Sequence, residues 1–229
     1  MLTQIFDELL AAYGPQHWWP GNSPFEVMVG AILTQNTAWT NVEKAIANLK
    51  KQRYLAPQHI LAIGEAALAE CIRPAGYFNV KARRLTNFCR WYVEHGEYSA
   101  LSAWTTHDLR LGLLSVNGVG PETADDILLY AFERPVFVID AYTRRLFVRL
   151  GIVEDAWDYE MLRAHFEATL GGTDASDTAL PALFNEYHAL IVKHAKEACQ
   201  KRPRCQQCVL TACCPSVKHN VEQSKTSTN

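Results

Sequence analysis

Gly118-Val119-Gly120-Pro121-Glu122-Thr123-Ala124-Asp125 is the stretch that decides how this chain folds. Two glycines flank one apolar residue, and Pro121 stands where a helix would begin. Glycine reaches backbone angles closed to other residues, so Gly118 to Gly120 can turn sharply and expose their N–H groups. Proline at the first helical position is pre-set for the helix, and Thr123, Ala124, Ile127 and Leu128 continue it. The reading is helix, glycine hairpin, helix, over about residues 107–132. Backbone N–H groups together with the positive end of a helix make an anion site, and phosphate is the anion they suit. DNA is the first partner to expect.

Working outward, nearly every segment has helical periodicity. Leu2, Ile5, Phe6, Leu9, Leu10 and Tyr13 form one stripe. Phe25, Val27, Met28, Val29, Ala31, Ile32 and Leu33 are almost continuously apolar, as in a helix packed on most sides. Further helices are expected at 39–50, 65–71, 79–95, 107–114, 121–132, 140–150, 158–169 and 180–198. Only Pro135 to Ile139 has strand character, and it is short enough to be a buried connector. The fold class is all-α. Trp18-Trp19-Pro20-Gly21-Asn22-Ser23-Pro24 is rich in turn formers and suits a crossing between domains, or an interior loop.

The 229 residues, 48% hydrophobic and 20% charged, have the composition of a soluble globular protein. No apolar run is long enough to span a bilayer, and the start of the chain lacks a basic leader before an apolar stretch. A cytoplasmic location and no membrane partner are the expectation. A net charge of −2 argues weakly against a nucleic-acid binder, because such domains are often basic. The charge is clustered, however. Arg73, Lys81, Arg83, Arg84 and Arg90 form one group, Arg134, Arg144, Arg145 and Arg149 a second around Asp140, and Lys193, Lys196, Lys201, Arg202 and Arg204 a third. Acidic residues gather at 154–160 and 174–177. Any one cluster reads as a solvated face; three that bracket a hairpin favour a face that tracks a phosphate backbone.

Five of the seven cysteines lie near the end of the sequence. Cys199, Cys205, Cys208 and Cys214 are separated by five, two and five residues, and Cys213 adjoins the last. In a reducing compartment disulfides are not expected, so four thiolates this close suggest one metal centre. Zinc and a [4Fe–4S] cluster both take four cysteines, and spacing alone does not choose between them.

These features together resemble the endonuclease III, or helix-hairpin-helix-GPD, superfamily of DNA glycosylases, over about residues 22–214. The resemblance rests on Leu33-Thr-Gln-Asn-Thr37, the hairpin, Asp140 and the cysteine loop. It implies a six-helix barrel domain at 22–134 and a helical iron–sulfur domain made of 1–21 and 135–217. Cys199, Cys205, Cys208 and Cys214 would hold a [4Fe–4S] cluster in the loop 199–214, with zinc as the alternative. The tail 218–229 reads as disordered. The first interval is one residue shorter than the family's usual spacing. Lys201, Arg202, Pro203 and Arg204 make a basic loop of the kind that grips phosphates in that family, so Arg202 and Arg204 are expected on DNA.

By the same resemblance Asp140 takes the place of the catalytic aspartate. Breaking a C1′–N bond builds positive charge on the sugar, which a nearby carboxylate stabilises, and it can also orient or deprotonate water. The apolar run Val136 to Ile139 would hold it rigidly and raise its pKa by desolvation. The blander role of Asp140 is a helix N-cap, and both roles can hold. Lyase members of the family carry a lysine two residues after the second hairpin glycine. Glu122 stands there, and a carboxylate cannot form an imine, so a monofunctional glycosylase without lyase activity is expected. Gln35 matches the residue that wedges into the gap left by a flipped base; alternatively it hydrogen-bonds internally. Gly118, Val119 and Gly120 complete the DNA-binding set.

An enzyme acting on a base must flip it into a pocket. Trp18, Trp19, Pro20 and Trp39 are the candidate walls, although most tryptophans are core. Trp-Trp-Pro, Gly30 to Thr37 with Trp39, and Cys71-Ile-Arg-Pro-Ala-Gly-Tyr-Phe-Asn-Val-Lys-Ala-Arg83-Arg84 are similar to the 3-methyladenine branch of the superfamily. That branch carries a glutamate at the hairpin position but often lacks the cluster cysteines. Alkylated purines such as 3-methyladenine are positively charged and gain from π-faces. His188 reads as a hydrogen-bonded structural histidine. The expected function is base excision of alkylated purines from double-stranded DNA by a monomer. The alternatives are a glycosylase for oxidised or mismatched pyrimidines and a catalytically silent DNA-structure-binding protein.

Overall fold

Ser23 and Pro24 open the helix on which one half of the molecule is built. In a computed structural model, which describes residues 1–18, 21–172 and 179–217, Ser23 Oγ accepts from the Glu26 N–H at 3.2 Å and Pro24 fills the first turn. The chain divides into two compact units, Met1–Trp18 with Pro135 onward, and Trp19–Arg134. Trp19, Pro20 and the tail 218–229 lie outside the described residues, as do the acidic positions 174–177. Among the described residues all regular structure is helical.

The middle unit runs α2 (Pro24–Thr34), α3 (Trp39–Lys51), α4 (Pro57–Cys71), α5 (Phe78–Glu94), α6 (Glu97–Leu101), α7 (Thr106–Ser115) and α8 (Pro121–Phe132), with a 3₁₀ turn at Arg73–Ala75. Helix α2 packs on α8, α3 and α5, and Met28, Val29, Ile32 and Leu33 are fully buried. Each such side chain contributes about 1.5–3 kcal/mol on burial, which explains why the most apolar helix lies at the centre. Helix α8 is buried from Thr123 to Phe132 except at Asp126. Helix α4 starts eight residues before the expected helix at 65–71, because Gly64 at φ +76° breaks the segment and hides its periodicity.

The other unit joins α1 (Leu2–Tyr13) to α9 (Ala141–Arg149), α10 (Tyr159–Gly171) and α11 (Leu180–Glu197), with a 3₁₀ turn at Cys205–Gln207. Its core is aromatic. Phe137 packs on Phe166, Phe184 and Tyr187, and Phe147 on Phe166 and Tyr187. The buried Tyr187 hydroxyl donates to the Leu2 carbonyl at 2.7 Å, which ties α1 to α11. Val136 to Ile139 are buried yet form no strand. Their backbone is held instead by contacts such as Phe137 N–H to Glu167 Oε1 at 3.0 Å. This buried connector delivers Asp140 to the start of α9. No described helix is long and apolar enough to cross a membrane.

Candidate active site and cysteine centre

Asp140 is the N-cap of α9. Its Oδ1 accepts from the Thr143 N–H at 2.7 Å, and its Oδ2 lies 3.6 Å from His188 Nε2 on α11, with 15% of the side chain exposed. The helix N-terminus and the imidazole therefore each face one carboxylate oxygen. Burial alone would push the carboxyl up, but the His188 contact and the Thr143 N–H outweigh it and hold the group below its ordinary value. This corrects the expectation that desolvation raises it. The half-buried Trp18 stacks on His188, with ring centroids 5.8 Å apart. An anion and an aromatic face are thus presented side by side. His188, read from the sequence as a hydrogen-bonded structural histidine, is brought against Asp140 although the two are 48 positions apart in the chain.

In the middle unit the hairpin has the expected form. Gly118 has φ +103°, and a Cβ there would sit 2.3 Å from Arg84 Cγ, whereas a Cβ on Gly120 would meet nothing within 4 Å. Val119 is only 6% exposed, and its N–H donates to the Val116 carbonyl. That removes it from the phosphate donors the sequence offered. Glu122 is exposed in the first turn of α8, where its charge complements the helix dipole. Gln35 is committed inside the unit: its Nε2 donates to the Gly118 carbonyl and to Thr123 Oγ1, both at 3.0 Å, and its Oε1 accepts from Arg84. The internal role weighed for it is the one present. The next residue, Asn36, is exposed at φ +54°.

Trp39 lies against Gly30, where a Cβ would come within 3.2 Å of the indole. It lines an open cleft of about 220 Å³ that also holds Glu26, Glu43 and Lys50. The indole N–H donates to Glu43 Oε1 at 3.1 Å, and Glu26 pairs with Lys50 at 2.7 Å. Trp18 and Trp39 belong to different units; Trp19 and Pro20 are not described.

Members of two of the three basic clusters do different work from that expected, while Arg73, Arg83 and Arg90 are exposed. Lys81 is 1% exposed and Arg84 half-buried. Arg134 donates to the Ser102 and Trp104 carbonyls, Arg144 to Asp155 and Trp157, and Arg145 to Cys199. Buried or half-buried guanidiniums satisfy orphan carbonyls at helix ends, and that use takes precedence over phosphate. Lys201, Arg202 and Arg204 do remain exposed.

Cys199, Cys205, Cys208 and Cys214 line one small apolar cavity of about 20 Å³. Cys213 faces elsewhere, toward Glu8 and the Leu210 carbonyl. Among the described residues, no three of His, Cys, Asp or Glu converge closely enough for a single metal ion. Around the cavity, Arg149 donates to Cys199 Sγ at 3.3 Å and to the Gln200 and Lys201 carbonyls. His194 places Nε2 3.6 Å from Cys208 Sγ and Nδ1 2.9 Å from the Tyr13 hydroxyl. Burial pulls His194 down to about 4, so its ring is neutral.

A capped carboxylate after a buried connector, a glycine hairpin between two helices and an all-helical fold define a helix-hairpin-helix DNA glycosylase. The chain belongs to the HhH-GPD superfamily of base excision DNA repair proteins, whose model matches residues 29–170. A provisionally named DNA repair glycosylase of Methanocaldococcus jannaschii is 47% identical over 94% of this chain and 96% of its own. Endonuclease III of Thermotoga maritima is 26% identical over 93% and 92%. Among solved structures, 3-methyladenine DNA glycosylase of H. pylori bound to 1,N6-ethenoadenine is 31% identical at a TM-score of 0.71, covering 86% of this chain and 97% of that one. An endonuclease III–DNA complex shares the fold at a TM-score of 0.77 and 22% identity, covering 97% and 99%.

Proposed function

We propose that this DNA glycosylase is monofunctional and releases alkylated purines from double-stranded DNA, with Asp140 as its catalytic carboxylate. The observation that carries the reading is the charge of Asp140. Held below its ordinary value, it is an anion at working pH and cannot donate a proton to a leaving base. It can stabilise positive charge at C1′ and orient the attacking water. Such a site suits a base that departs without a proton. A purine methylated at N3 or N7 is already cationic as a nucleoside, so when the C1′–N bond breaks its electron pair leaves a neutral base. Water then adds its oxygen to C1′ and releases its proton to solvent or to the carboxylate.

The aromatic surface supports the same class. Trp18 stands beside the acid through His188. A cationic ring gains from both π-faces and negative charge. The 31% identical relative is named for 3-methyladenine. Glu122 at the hairpin supports water rather than an amine as the nucleophile.

The four cysteines line one cavity, and a [4Fe–4S] cluster is the group we assign to them, with zinc, which also takes four sulfurs, as the alternative. When bound, the cluster would close the loop 199–214 and fix Arg202 and Arg204 in place; no step of base release needs it. The test is base release from methylated genomic DNA, with products identified chromatographically. Release of 3-methyladenine or 7-methylguanine is expected. Release only from duplexes carrying thymine glycol or uracil would move the enzyme to the pyrimidine class, and DNA binding without any release would make it a silent binder.

A further inference from the structure

Helix α5 turns two cations, Lys81 and Arg84, toward the end of α2. Three positions apart, they share one face. The Lys81 ammonium, 1% exposed, donates to the Leu33 and Ala75 carbonyls, both at 2.8 Å. Leu33 is in the last turn of α2, where carbonyls lack helical partners and the dipole is negative. Arg84 Nη1 donates to Gln35 Oε1, just past that turn, and the aliphatic stem of Arg84 fills the space beside Gly118. Gln35 passes the connection on through its amide to the Gly118 carbonyl and Thr123 Oγ1. One side of α5, the end of α2 and both sides of the hairpin are therefore joined by charge-assisted or buried hydrogen bonds, the stronger kinds.

We infer that Lys81 and Arg84 are positioning residues that, through Gln35, bracket the glycine hairpin to the α2–α3 turn. The inference builds on the hairpin as a DNA contact, and it reassigns Gln35 from a side chain that enters the duplex to the link between turn and hairpin. It also gives Arg84 an indirect part in DNA binding: the residue sets hairpin geometry and leaves phosphates to other groups. Lys81 secures the backbone of the turn, so that the Gln35 amide meets the hairpin at a fixed height. The absence of a side chain on Gly118 follows from the same arrangement, because the stem of Arg84 occupies that volume.

The experiment uses the full chain with Arg84→Met and Gln35→Met, singly and combined. In DNA-free protein, hydrogen exchange of the Val119 amide should quicken about tenfold in each single variant and no further in the double. The Ile60 amide, in the same unit, should exchange as in the parent. On a duplex carrying an abasic-site analogue, affinity should fall about tenfold while the slope of log affinity against log salt stays unchanged. If Arg84 touched phosphate instead, that slope would shrink by about one. A reduced slope, additive losses in the double variant, or equal quickening at Val119 and Ile60 would each overturn the bracket. Should Arg84→Met fail to fold, Arg84→Lys keeps charge and stem but loses the planar fork, and the exchange outcomes alone then decide. Failure of the parent itself to bind the duplex would count against the DNA reading, and the exchange result would still judge the bracket.

Discussion

At the scale of single residues, Asp140 is a helix cap and, in the proposed mechanism, the reaction centre as well. Asp140→Asn keeps an N-cap, since asparagine caps as well as aspartate. Base release should therefore fall by about 10²–10³-fold, the effect of losing one preorganised electrostatic group, while duplex binding by anisotropy stays within a factor of a few. Loss of binding alongside release would mean the residue is structural. The lowered folded pKa also fixes a sign. The ionised cap and the His188 contact stabilise the fold in full above the ordinary carboxylate value of 3.8, and that share is lost as pH falls through the folded value. Below about pH 4 the unfolding midpoint should thus drop less steeply with falling pH in Asp140→Asn than in the parent. Glu122 gives a negative test: borohydride should trap no covalent complex with substrate duplex, and a trapped band would reveal an amine nucleophile. The cap at Asp140 was legible from Val136 to Arg145 because capping is local. The ring of His188 against it was not, because helical periodicity places a residue on a face without saying what lies opposite.

At the scale of elements, the two hairpin glycines are unequal although the sequence presents them alike. Gly118→Ala would force a left-handed backbone angle and a collision with the stem of Arg84; Gly120→Ala meets open space at an ordinary angle. The first should cost about 1–3 kcal/mol of stability and weaken duplex binding. The second should leave thermal unfolding within about 0.5 kcal/mol of the parent. Equal effects in denaturant titrations would show that the Arg84 contact is dispensable. Strongly patterned helices, α1, α2 and α8, stood out in the sequence since their burial is set by their own residues. Helix α4 did so only in its second half, because Gly64 interrupts the apolar spacing. The arginines of α9 misled for a related reason. Composition registers their charge, but their carbonyl partners, Cys199 and Gln200 among them, come from distant loops.

At the scale of the whole molecule, the four-cysteine cavity makes the broadest prediction. Purified protein should be brown, with broad visible absorbance that acid abolishes. Cys208→Ser should lose both the colour and several degrees of thermal stability, because a metal centre that closes a loop contributes folding energy. Colourless protein with stoichiometric zinc would assign the other metal. Which cysteine of the adjacent pair belongs to the centre was beyond spacing arithmetic; the cavity takes Cys214 and turns Cys213 toward α1.

Helix α1 also has a bearing on biosynthesis. The body that carries the acid takes its first helix from the opening residues and everything else from position 135 onward. A ribosome releasing this chain in order can let residues 19–134 condense early, while α1 waits for Tyr187 and its neighbours. On the proposed roles, the glycine turn would then ripen before Asp140 is in place, and a prematurely halted polypeptide would carry that turn with no means of cutting a base from its sugar.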